Sequence, residues 1–242
     1  MNSSLAVAAL LLVLRISYAQ SSVAVADGND RRILSKQAAD AHQSGRVDEE
    51  IEFRQQLSRK AWAEFARNPQ SSIYDRYNIV EINDVPLGLL LEGSHRLSDA
   101  EAVFRHNQAE LSAERIAGND SKSANELLLA QVLASESKTS EANRICSRWK
   151  GRVRHLAAGQ DSDHWYGEPR APLRDTPEVE TASWDLSCGS PDEGLKLLSE
   201  QIHAHPHMLA SFTVLSHYFA AIGEFSKALK AERDGTAAVT AQ

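Results

Sequence analysis

The sequence predicts an all-α protein, an α-solenoid in which antiparallel helix pairs stack one after another along the chain. Gly and Pro are sparse, at 12 and 7 of 242 residues, whereas the abundant Ala and Leu favour helices. The C-terminal part also repeats itself, because Gly194 falls on Ala228 when Gly189 is aligned with Gly223, thirty-four residues later. A single helix pair cannot bury its own apolar stripe, so a fixed period of this length indicates pairs that cover their neighbours.

The first residues are typical of an export signal. An apolar run at 5–14 is followed by Ser17, Tyr18 and Ala19, which predicts a signal peptide over residues 1–19 and an exported, periplasmic or secreted protein. An uncleaved anchor is the alternative, because no Lys or Arg precedes the apolar run. Residues 20–30 are polar and lack periodicity, so we expect a flexible leader there and a helical domain over 31–242.

The first predicted helix pair turns at Gly45. Apolar residues recur at helical spacing from Ile33 to Gln43 and again from Val47 onwards, until Pro69 stops the second helix. Glu50 stands where the later repeats have a small residue, so this pair departs from their pattern. The following stretch, 71–84, has some strand character. We interpret it as an irregular opening to the next helix, because no partner strand is evident.

The clearest repeat pattern follows, in a pair that turns near Leu97. Its bulky and small positions are Leu87, Gly88, Leu91, Leu97, Ala100 and Phe104. A third pair carries Leu129 and Leu133 before its turn and Ala142 after it. Residues 159–176 hold two prolines and two glycines and predict an irregular loop. The two registered repeats between Glu180 and Glu232 then close the chain.

This pattern of bulky residues in the first helix, small residues at the crossings and a Gly-centred turn resembles the tetratricopeptide repeat. The resemblance covers roughly residues 31–232 and implies a right-handed superhelix. It also implies a concave groove, lined by the first helix of each pair, that takes a peptide or a partner protein. Carried over position by position, the groove residues are Val85, Leu89, Glu92, Leu127, Gln131, Ser183, Thr213 and His217.

The predicted function is therefore a protein-interaction scaffold without catalysis, cofactor or metal. A hydrolase-type enzyme is one alternative, with Asp161, His164 and Glu168 in the irregular loop as its acid–base groups. Self-assembly through the last, uncapped repeat is a second alternative. The histidines at 203, 205 and 207 lack an acidic or Cys ligand at metal-binding spacing. A formal charge of −7 does not suggest a nucleic-acid partner.

Cys146 and Cys188 have two interpretations. An oxidising compartment would permit a disulfide between them. Alternatively, they are two buried small hydrophobic residues on separate helices.

Overall fold

The computed structural model describes residues 30–68, 73–112, 120–157 and 176–240. These residues form helices and turns, with no strand among them, so the predicted all-α class is confirmed. The stretch with strand character is helical from residue 73 onwards. The signal peptide, the leader up to residue 29 and the loop from 159 to 175 lie outside the described residues. The chain divides into two compact units, Met1–Pro69 and Gln70–Gln242.

The described residues of the first unit form one antiparallel helix pair. Helix α1 (30–43) packs on α2 (Val47–Arg67) through a cluster of Leu34, Ala38 and Leu57. An ion pair between Arg31 and Glu64 joins the start of α1 to the end of α2. The two helices therefore run in opposite directions, as the turn at Gly45 predicts.

The described residues of the second unit form four further pairs. A short helix α3 (Ile73–Ile79) runs through a π-helical turn (Val80–Asp84) into the first pair, α4 (Val85–Gly93) and α5 (Leu97–Ser112). The other pairs are α6 (Asp120–Ser135) with α7 (Thr139–Ala157), α8 (Pro177–Cys188) with α9 (Pro191–Ala204), and α10 (Leu209–Ala221) with α11 (Phe225–Thr240).

Four of the five turns within pairs share one backbone motif. The residues with positive φ are Gly45, His95, Ser137 and Gly223, with φ between 62° and 79°. The next amide in each turn, at Arg46, Arg96, Lys138 and Glu224, donates to a carbonyl five residues earlier. This bond is the helix-terminating pattern of a Schellman motif. His95 and Ser137 adopt a conformation that costs about 1 kcal/mol or more for residues with a Cβ atom.

The turn between α8 and α9 differs from the other four. Gly189 has φ −115°, so it does not adopt the left-handed conformation of Gly223, the residue it was aligned with. The register of the second helix is nevertheless kept, because Gly194 donates to the Ser190 carbonyl as Ala228 donates to that of Glu224.

The small residues lie at close helix crossings. A Cβ atom on Gly88 would lie 2.7 Å from Cε1 of Phe104, and one on Gly194 would lie 2.8 Å from Cγ of Leu186. Ala100, Ala142 and Ala228, which correspond to Gly194 in the second helices of the other pairs, are buried. The repeat register read from the sequence therefore coincides with the contacts within the pairs.

The first helices of the four pairs form a closed ring in the second unit. Helix α4 contacts α6, α6 contacts α8, α8 contacts α10, and α10 returns to contact α4. Each second helix packs against its own partner, and α5, α7 and α9 also contact the first helix of the following pair. An open groove requires a free face on these inner helices, whereas α4 is buried at every position from Leu87 to Glu92.

Candidate partner-binding site

The predicted groove residues divide by burial. Val85, Leu89 and Leu127 are at most 6% exposed, and Glu92 is 4% exposed. The half-buried positions are Gln131, Ser183 and His217, and Thr213 is exposed. The four buried residues belong to the core in this structure, because ring closure covers the face on which the repeat register places them. A partner could contact those four only if the ring opened.

Glu92 and Gln131 are brought together inside the ring by α4 and α6. Burial raises the pKa of Glu92 to about 8, although a hydrogen bond from Gln131 opposes that change. The Oε2 atom of Glu92 has no hydrogen-bond partner among the described residues. Glu92 is therefore a neutral carboxylic acid at pH 7, and it adds no net charge to the interior.

His217 on α10 is neutral for a related reason. Its ring keeps some exposed area, but the surrounding protein desolvates it and lowers its pKa to about 4, against the opposing charge of Glu232. The Ser216 hydroxyl donates to Glu232 at 2.8 Å. Exposed Thr213 donates its hydroxyl to the Leu209 carbonyl of its own helix. Both titratable positions of the predicted groove are thus uncharged at pH 7.

A polar cluster that joins α6 to α5 and to α7 was not predicted from the sequence. The indole Nε1 of Trp149 donates to Glu126 at 2.8 Å, and Arg148 lies 3.1 Å from the same carboxylate oxygen. Asn125 donates to the Phe104 carbonyl at 3.0 Å. These contacts join residues more than twenty positions apart in the sequence, so no local sequence pattern predicts them. They fasten α6 to α5 and to α7.

Glu50 in the first unit has two side-chain partners. The Nε atom of Arg54 donates to one of its carboxylate oxygens at 2.6 Å, and Nδ1 of His42 lies 3.0 Å from the other. Glu50 is buried and occupies the crossing position that Ala100 and Ala142 occupy in other pairs. The departure from the small-residue pattern is tolerated because both carboxylate oxygens are paired.

Cys146 and Cys188 form a disulfide, with their Cα atoms 5.6 Å apart. The bond ties α7 to the end of α8, and thereby the second pair of the ring to the third. Trp184 donates its indole Nε1 to the Cys146 carbonyl at 3.0 Å beside it. Lys150 lies over the same indole ring. The bridge interpretation therefore agrees with this structure, and the alternative of two free buried cysteines does not.

The other candidate groups lie elsewhere or outside the described chain. Asp161, His164 and Glu168 belong to the segment that the structure leaves undescribed. His203, His205 and His207 are exposed, and Nδ1 of His207 donates to the Ala238 carbonyl. Within the described ranges, no three His, Cys, Asp or Glu side chains are grouped to hold a metal ion. The helices in those ranges are all too short or too polar to cross a membrane.

Comparisons with protein-family models, with curated proteins and with solved structures each found no match to this chain. The functional argument therefore rests on the geometry above.

Proposed function

We propose that this protein is an exported, tetratricopeptide-like repeat protein that binds a peptide or a partner protein and has no catalysis of its own. The observation that carries the proposal is the repetition of one helix–turn–helix unit, with the same hydrogen-bonded turn at four places. Units of this kind present extended helical surfaces, on which recognition depends on shape and apolar contact rather than on a few reactive groups.

The chemistry of the inner helices supports an uncharged or apolar partner segment. Val85, Leu89 and Leu127 supply apolar surface, and Glu92 and His217 are neutral at pH 7. A strongly charged peptide would find no complementary charge at these positions. A segment with apolar side chains and a free backbone would find apolar contacts and the Gln131 carboxamide.

Two features support export. The apolar run at 5–14 has the layout of a signal peptide. The Cys146–Cys188 disulfide is a bond that persists mainly in oxidising compartments.

The experiment is affinity capture from the envelope and secreted fractions of the source organism, with Thr213→Arg as the test variant. Thr213 is the predicted groove residue that is exposed, so the substitution leaves the core intact. Ser199→Arg is the matched control, because it adds the same charge at an exposed site on the outer helix α9. Loss of a captured protein with Thr213→Arg alone supports the proposal, provided that titration of the purified partner reproduces the loss. Equal capture by both variants would exclude the surface of α10 around Thr213 from the binding site.

Self-association is a second candidate, favoured by one observation. Three of the large apolar side chains that the described chain exposes lie on the last pair: Leu209 at 36%, Ile222 at 48% and Val239 at 38%. Exposed apolar residues on a terminal repeat are a suitable surface for a second copy. Sedimentation velocity over a range of concentrations tests it, and a monomer at every concentration would dismiss it.

A further inference from the structure

The ring of inner helices closes where the ends of α4 and α10 meet, which we call the α4–α10 seam (Gly93 against Ala220 and Gly223). A Cβ atom on Gly93 would overlap the Ala220 carbonyl oxygen and lie 3.0 Å from the Gly223 nitrogen. A Cβ atom on Gly223 would lie 2.7 Å from the Gly93 carbonyl oxygen. The two helix ends therefore touch through their backbones, with no room for a side chain between them.

At the seam, unlike at the other three sides of the ring, the two helices that meet do not belong to successive pairs of the chain. The four pairs follow one another along the chain, so successive pairs are joined by the segments between them. The Cys146–Cys188 disulfide adds a second link between the second pair and the third. Gly93 and Gly223, in contrast, are 130 residues apart. Opening the ring at the seam breaks only non-covalent contacts, whereas the other three sides stay tethered.

Helix α4 is buried along most of its length. Every residue from Leu87 to Glu92 is buried, as is Val85. A helix that is apolar on all sides needs neighbours on all sides, and α10 is one of those neighbours. The buried positions include Val85, Leu89 and Glu92, which the repeat register assigns to partner binding.

We propose that the α4–α10 seam is a gate, at which the last helix pair covers the partner-binding face of α4 and must move away to admit a partner. This inference rests on the proposed function for the identity of that face. In the closed ring, α10 occupies the place beside α4 that a partner segment takes in the open one. Partner binding is then coupled to a local opening, because a ligand that prefers the open state shifts the equilibrium toward it.

The first test is native-state hydrogen exchange on the wild-type full chain at low denaturant concentrations. Amides of α4 and α10 should exchange through an opening smaller than global unfolding, with protection about tenfold or more below that of α6 and α8. The gate is overturned if α4 and α10 lose protection only together with α6 and α8. This measurement uses no variant, so it decides the question even if a substituted chain does not fold.

The second test compares Gly93→Ala with Gly194→Ala. Both substitutions place a methyl group in a tight crossing, but Gly194 lies within the α8–α9 pair, where its Cβ would meet Leu186 and Ala182. Gly93→Ala should lower protection in α4, α10 and α11 and raise bis-ANS fluorescence, while α6 to α9 keep their protection. Gly194→Ala should not release α4. Uniform loss of protection with Gly93→Ala, or none, would show that the seam is not a separable contact. If the seam opens in these tests but affinity capture finds no partner, the gate is supported and only the proposed function is contradicted.

Discussion

Replacing Glu92 by Gln should stabilise the protein at neutral pH. The carboxyl group has a pKa of about 8 in the folded chain, against 4.5 in the absence of the protein environment, and burial is the main cause. At pH 7 the group is ionised in the unfolded chain but must be protonated in the folded one. This protonation spans about 2.5 pH units at about 1.36 kcal/mol each, so it costs about 3 kcal/mol.

Gln has the same shape as the protonated acid and needs no protonation. Its carboxamide can also keep the contact with Gln131. After allowance of about 1 kcal/mol for imperfect hydrogen bonding, we expect Glu92→Gln to gain about 2 kcal/mol at pH 7.

The pH dependence provides a second signature of the same group. The folded-state pKa is raised, so the folded chain binds the proton more tightly than the unfolded chain does. The contribution of Glu92 to wild-type stability is therefore most favourable below about pH 4.5. It becomes less favourable as the pH rises toward 8 and levels off above that. In Glu92→Gln this contribution to the slope is absent, so the difference between the two proteins should widen from pH 5 to pH 8.

The assay is urea unfolding followed by far-UV circular dichroism at about pH 5, 7 and 9. Hydrogen exchange in α4 should locate the gain near the substitution. Glu200→Gln is the matched control, because it removes a carboxylate from an exposed position on α9. If Glu92→Gln is no more stable than wild type at pH 7, or if its advantage is the same at pH 5 as at pH 9, the buried neutral carboxyl group is refuted.

Three further predictions concern the ring. Gly88→Ala should lose about 1–3 kcal/mol of stability, because the new methyl group meets the fully buried Phe104 ring; an unchanged thermal midpoint would contradict the α4–α5 packing. Reducing the Cys146–Cys188 disulfide should cost about 2–4 kcal/mol by freeing the loop it closes in the unfolded chain. The double Ser variant, which reductant cannot affect further, should have the reduced protein's midpoint. Because burial lowers the pKa of His217 to about 4, the contribution of this group to stability should be lost as the pH drops from about 6.5 toward 4, opposite in sign to that of Glu92. The stability of His217→Gln relative to wild type should therefore rise over that range, whereas the exposed control His203→Gln should show no such change relative to wild type.

The sequence predicted the helices of the pairs and their close crossings, but not α3, which lies in the stretch interpreted as an irregular opening. Composition and 3.6-residue periodicity are local properties, so they predicted an all-α chain without tertiary information. A small residue at a fixed place after the turn predicted the close crossing at Gly194, and Gly88 in the first helix of its pair predicted the crossing with α5, because only small side chains let helix backbones approach. Glu50 departs from the small-residue pattern, and its partner Arg54, four residues later on α2, was a local signal that the sequence offered. His42 reaches Glu50 only because α1 packs on α2.

The tertiary structure decided what the inner helices face. The repeat register shows which residues point inward, but ring closure depends on the small rotation between successive pairs, summed over four of them. One signal was present in the sequence, because α4 reads VPLGLLLEG and has no polar side free for solvent. In the closed ring Val85 and Leu89, which the repeat register assigns to the groove, are buried core residues. Burial in the same core raises the pKa of Glu92 and makes it neutral at pH 7. The choice between a disulfide and two free cysteines likewise required the tertiary structure, which brings Cys146 and Cys188 together.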